Sequence, residues 1–156
     1  MKEQILFSLE RNFHPNEQNQ TYFFRIEVPP RCESLSIDFS YCPKQFENQE
    51  ASRQMLNECL QKYMPPPYDR ELEGIPLEKI PLVNLLTVSL DNPAGQYVGC
   101  AHRHPPRQHH EIRANRASRG FCPAEITEGT WRLGLQCHAI VTDPVLVNIY
   151  VKGVWS

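Results

Sequence analysis

Thr21–Val28 reads TYFFRIEV, and Ser34–Cys42 reads SLSIDFSYC. In the first stretch Tyr22, Phe24, Ile26 and Val28 share one face, with Arg25 and Glu27 on the other. In the second, Leu35, Ile37, Phe39 and Tyr41 alternate with Ser36, Asp38 and Ser40. A period of two places successive side chains on opposite faces of an extended chain, so each stretch is a strand with one buried face.

Working outward, the same period recurs almost everywhere. The opening MKEQILFSLERNF alternates apolar and charged residues and reads as the first strand. NLLTVSLD, from Asn84, leads through the Pro93- and Gly95-bearing turn DNPAGQ into QYVGCAHR, which predicts a hairpin. EIRANRAS, TWRLGLQCHAIVT and PVLVNIYVKGVW follow, with Trp131, Leu133, Leu135, Cys137 and Ala139 on one face, and Val145, Val147, Ile149 and Val151 on one face. The helical exception is NQEASRQMLNECLQKYM: Ala51, Met55 and Cys59 fall four apart, and Leu56, Leu60 and Tyr63 widen the stripe. Asn48 is placed to cap it, and Pro65, Pro66 and Pro67 cannot continue it. The expectation is an all-β, jelly-roll-like antiparallel sandwich of about eight strands forming a single domain over residues 1–156. One α-helix at about 48–63 lies within an insertion spanning about 46–82.

Composition narrows the function classes. With 40% hydrophobic and 22% charged residues in 156, the chain carries enough apolar surface for a core and is not a disordered sequence. No apolar run approaches the roughly 20 residues of a spanning helix, and the opening lacks the apolar block of a signal peptide, so a cytoplasmic protein is expected, without membrane partners. Six cysteines, scattered without a CxxC pair, are expected to be reduced, those on strands acting as small buried hydrophobes. The net charge of −2 conceals a belt from Cys100 to Arg119 in which five arginines oppose Glu111, giving +4 there and −6 elsewhere. A local belt on an acidic chain speaks against nucleic acid and suits a small anion.

That belt contains CAHRHPPRQHHEI, Cys100–Ile112, with four of the six histidines. His102 and His104 sit two apart, about 7 Å on a strand, close enough for weak candidacy as zinc ligands, while Cys100 lies ~13 Å from His104, too far to complete a site. The simpler reading makes His104–His110 a solvated loop stiffened by Pro105 and Pro106. If the segment serves a ligand, the candidates are Arg103, Arg107, His102, His104, His109 and His110, binding an anion; no metal or other cofactor and no catalytic residue is expected. Trp131 is expected in the core rather than stacked on a sugar, and Asp91–Asn92 in a plain turn rather than a calcium site.

The order NLLTVSLDNPAGQYVGCAHR, an ASRGF turn, ITEGTWRLGL and a last strand resembles the non-catalytic β-sandwich that precedes the metal-dependent phosphoesterase domain in many bacterial PHP-type metallohydrolases. The resemblance covers roughly Asn84 to Val151, and its sharpest elements are Gly129–Trp131 and Gly99–Arg103. More distantly, the layout is similar to jelly-roll modules beside secreted peptidases. In the PHP-type enzymes a His- and Asp-rich catalytic domain follows, whereas this sequence stops at Ser156. The resemblance therefore implies an accessory module without the enzyme, pairing with itself or with a separately encoded hydrolase. The alternatives are a module that binds a carbohydrate or phosphorylated small molecule, and a small metal-dependent hydrolase using His102, His104, His109 and His110.

Overall fold

The computed structural model of the chain describes residues 1–63, 82–101 and 105–156. Eight strands are formed among the described residues: β1 (Lys2–Phe13), β2 (Thr21–Val28), β3 (Ser34–Cys42), β4 (Leu85–Asp91), β5 (Tyr97–Cys100), β6 (Arg107–Arg113), β7 (Gly129–Ala139) and β8 (Val145–Trp155). They build two four-stranded sheets, ordered β1-β8-β3-β6 and β2-β7-β4-β5, and every pairing is antiparallel. Consecutive strands change sheet at each step except β4 to β5, which form the expected hairpin. The all-β sandwich read from the alternating pattern is the fold.

The core lies where the alternation places it. Leu35, Ile37, Phe39 and Tyr41 of β3, and Val145, Val147, Ile149 and Val151 of β8, meet Trp131, Leu133, Leu135 and Cys137 of β7 and Leu86, Val88 and Leu90 of β4. Trp131 is fully buried and donates its indole N–H to the Thr127 carbonyl at 2.9 Å, so its one polar atom is satisfied. Fully burying such side chains contributes about 1.5–3 kcal/mol each, which makes this interface the source of the fold's stability.

Polar ties close the sandwich where the insertion leaves and returns. Asn84, wholly buried, donates to the Pro43 carbonyl and the Thr142 hydroxyl, each at 2.8 Å, and accepts from the Val141 N–H at 2.7 Å. One amide thus joins three segments with its hydrogen-bonding capacity used. Gln45 bridges Val83, and the Phe46 N–H donates to the Leu82 carbonyl, so the excursion over about 46–82 begins and ends at paired residues. Within it, α1 (Gln49–Tyr63) is capped by the Asn48 side chain, whose oxygen accepts the Ala51 N–H at 3.0 Å. The expected apolar stripe is covered only in part: Ala51 and Leu56 are half-buried, while Met55, Cys59 and Tyr63 are exposed. The helix lies outside the two-sheet core, bordering a groove with Pro15, Gln18, Leu82, Ile140 and Val141. The Leu60 side chain, Pro65–Pro67 and the rest of the proline-punctuated tail lie outside the described residues.

Two sequence readings need correction. The loop expected over His104–His110 is shorter, because β6 already begins at Arg107 and pairs Arg107–Arg113 with Ser34–Ser40. The alternating inner face of β3 supplies a register that a histidine-rich sequence does not advertise. None of the six cysteines, all among the described residues, forms a disulfide; Cys100 and Cys137 on strands are buried, but Cys42, at the end of β3, is exposed, because the strand has left the core there.

Candidate functional site

Alternation along β6 divides the histidine cluster. Arg107, His109, Glu111 and Arg113 fall on the outer face of the first sheet, whereas His110 and Ile112 point between the sheets. His110 is only 4% exposed, its ring centroid 5.1 Å from that of Phe121, and its Nε2 is 2.8 Å from the Gln108 Oε1. His109 and His110 therefore do not share a site. His102, Arg103 and His104 lie outside the described residues.

His109 has a defined partner. It stands opposite Asp38 in the β3–β6 register, and its Nδ1 is 2.6 Å from the Asp38 Oδ1. The second oxygen of Asp38 lies 3.6 Å from the Lys152 ammonium, which is also 3.4 Å from Glu3. The carboxylates of Glu3 and then Asp38 hold the Lys152 ammonium above its ordinary range. An Asp-held imidazole is the orienting half of a catalytic triad, yet among the described residues no hydroxyl bonds its other nitrogen. Its side chain is 63% exposed, so the pair works in high dielectric and contributes little beyond fixing the ring.

The arginine belt is partly neutralised in the fold. Glu111 takes both Arg113, at short range, and Arg116, at 3.7 Å. Arg107 remains without an ion pair among the described residues and borders a shallow depression of about 280 Å³ with Asp38, Ser40, Gln108 and Tyr150. The other residues weighed in the sequence are absorbed by structure. Asp91 is 2.7 Å from the Arg132 guanidinium, and the Asn92 side chain accepts the Ala94 and Gln96 N–H groups, which is the plain turn expected. Gly99 is confined to glycine for a steric reason. Its φ is +152°, and a Cβ there would run into the Gly120 carbonyl and the Phe121 backbone.

A feature that the sequence reading passed over lies at the sheet edges. The four edge strands are β1, β6, β2 and β5. One loop covers two of them. The Ser118 N–H donates to the Glu111 carbonyl and the Arg113 N–H to the Arg116 carbonyl along β6, while Cys100 and Cys122 exchange bonds with Gly120 and Val98 along β5. Along β1 the ladder is broken by a bulge between Ile5 and Phe7. On β2 the register is unbroken across eight residues and, among the described residues, is paired on one side only, to β7. The signal was present in TYFFRIEV: Phe23 occupies the polar face between Thr21 and Arg25, and it is 56% exposed.

Among the described residues, no three His, Cys, Asp or Glu side chains are grouped as metal ligands, and no helix is long and apolar enough to cross a membrane. No protein-family model and no curated protein matches the sequence. Among solved structures, the chain is similar to a crystallised protein from Sulfurospirillum deleyianum, at 6% identity over 92% of this chain and 96% of that one, with a TM-score of 0.34.

Proposed function

We propose that the chain is a non-catalytic β-sandwich module of jelly-roll connectivity, working in the cytoplasm by protein interaction, with itself or with a separately encoded PHP-type phosphoesterase. The observation that carries this reading is the edge of β2, unpaired among the described residues, beside three edges that are covered or interrupted. An unpaired strand edge offers a row of N–H and C=O groups to a partner strand, and soluble proteins normally block such rows. The strand order 1-8-3-6 facing 2-7-4-5 supports the jelly-roll description. The test is sedimentation of the purified chain, alone and mixed with the PHP-type phosphoesterase of the same source. A complex or a self-association that Arg25→Pro weakens by about tenfold or more is expected, and a chain that sediments as an inert monomer in both settings overturns the reading.

Arg107 favours a second reading, the binding of a phosphorylated small molecule, because it borders the depression near Ser40 and Tyr150 without an ion pair among the described residues, the Asp38 carboxylate in the same lining being engaged by His109 and Lys152. Phosphate should then raise the melting temperature by mass action, and Arg107→Ala should remove the rise. A hydrolase reading on His102, His104, His109 and His110 is less well supported, since β6 turns His109 and His110 to opposite faces.

A further inference from the structure

The hydrogen-bonding parity of β2 follows from its pairing with β7. The Cys137 N–H donates to the Gln20 carbonyl, and Thr21 stands opposite Gln136. In an antiparallel ladder the bonded pairs recur every second residue, so Tyr22, Phe24, Ile26 and Val28 spend their backbone groups on β7, as does the Gln20 carbonyl, while the Gln20 N–H donates to the Glu17 carbonyl. The N–H and C=O groups of Thr21, Phe23, Arg25 and Glu27 point to the open edge. Four such residues, on a strand without proline, glycine or bulge, form a free ladder about 20 Å long from Thr21 to Glu27.

Resting on the interaction-module reading, we propose that the occupant of this edge is a second copy of the chain, β2 pairing antiparallel with β2 about a twofold axis at Phe24. In that register Thr21 faces Glu27 of the other copy, and Phe23 faces Arg25, each twice by symmetry. All four are residues whose backbone groups are open, so the whole strand forms bonded pairs. The side chains agree with the backbone. A threonine hydroxyl meets a carboxylate and a guanidinium meets an exposed aromatic ring, while on the inner face Ile26 is already fully buried within its own sandwich. Sliding the register by one residue on each copy centres the pair on Arg25 and sets two guanidinium groups against each other, or centres it on Phe23 and leaves Glu27 and its neighbours unpaired. The product is a continuous eight-stranded sheet, with Phe23 covered.

Sedimentation of the whole chain across a concentration series tests the proposal. A reversible monomer–dimer equilibrium is expected. Arg25→Pro removes an N–H that points away from β7, so the monomer fold should survive by circular dichroism while the dimer weakens by about tenfold or more. The register is tested separately. Thr21→Lys, facing Glu27, should tighten the dimer by roughly two- to thirty-fold; Thr21→Glu should weaken it by a similar factor; and Thr21→Glu with Glu27→Lys should restore it. A dimer indifferent to Arg25→Pro, or one in which the charge pair shows no rescue, overturns the proposal. A chain that stays monomeric yet binds the phosphoesterase through β2 overturns self-pairing alone. Failure of both overturns the module reading as well.

Discussion

β1 and β2 run along the same side of the sandwich and are treated in opposite ways. Their aromatic residues touch, Phe7 with Phe24 and Phe13 with Tyr22, each pair at 5.3 Å between ring centroids. β1 is the longer, twelve residues to eight, and carries as much apolar surface, with Ile5, Leu6, Phe7 and Leu9 in sequence. Length and composition would make it the stickier edge. The bulge reverses that expectation. Before it, Glu3 and Ile5 pair with Val154 and Lys152 on the outer face; after it, Ser8 and Glu10 pair with Tyr150 and Asn148 on that same face. Matched through its centre, a second copy of β1 would set Phe7 against Ser8, Leu6 against Leu9 and Glu3 against Asn12; the neighbouring register, one residue further on each copy, would set Leu6 against Phe7, Glu3 against Glu10 and Lys2 against Arg11. Like charges directly opposite are destabilising, and the extra residue bends the strand. The difference between the edges is therefore one of register, which a single added residue controls.

The largest test separates the two sides of β2. Its inner partner across the β7 ladder is Trp131, opposite Ile26. Trp131→Ala should cost roughly 3–5 kcal/mol of stability in urea unfolding, as large-to-small core changes do. A loss below about 1 kcal/mol, with sugar binding abolished, would return Trp131 to a surface role and weaken the idea that β2 is anchored on one side and free on the other.

A smaller effect comes from thiols on the anchored side. Burial pushes the Cys137 thiol up from 9.0 to about 11, and burial also raises Cys32 and Cys100. A thiol whose folded value is raised stabilises the fold fully below its unfolded value and ceases to do so as pH climbs through the folded one. Stability should thus fall between about pH 9 and 11, by on the order of 2 kcal/mol for Cys137. In the native protein a thiol reagent should reach Cys42, Cys59 and Cys122 first. Rapid labelling of Cys137 without unfolding would show the interior to be open.

The smallest change asks which guard protects β1. Glu10→Lys replaces the Glu3–Glu10 like-charge pair of the off-centre register with an attractive one and, by the size of cross-strand pairs, should alter any association by less than about 1 kcal/mol, because the bulge remains. If sedimentation instead showed a new β1-dependent oligomer, charge rather than bulge would be the guard, and the two edges would differ only in composition.

The candidate site was harder to read than the fold for a reason visible in β6. CAHRHPPRQHHEI drew attention by clustering, yet clustering in sequence is not convergence in space. A strand sends His109 to Asp38 and its neighbour His110 to Phe121, on opposite faces. In TYFFRIEV the position of Phe23 was legible, but its meaning was not, since an exposed apolar residue becomes a contact only when its strand is an edge.

What the sequence determined by itself is whatever depends on short-range period. The strands from Thr21 to Val28 and from Ser34 to Cys42, the helix with its Asn48 cap, the hairpin at Asn92 and the core placement of Trp131 all follow from which side chains alternate and which turns close locally. The tertiary structure alone decided the strand order, which strands became edges, and how each edge was handled: a loop over β5 and β6, a bulge in β1, and on β2 no partner among the described residues. These depend on pairings between residues far apart in the chain, such as Phe13 with Val145, or Thr21 with Gln136. Local periodicity fixes which face of a strand is buried but leaves its neighbours open, because every alternating strand offers the same backbone groups along both edges.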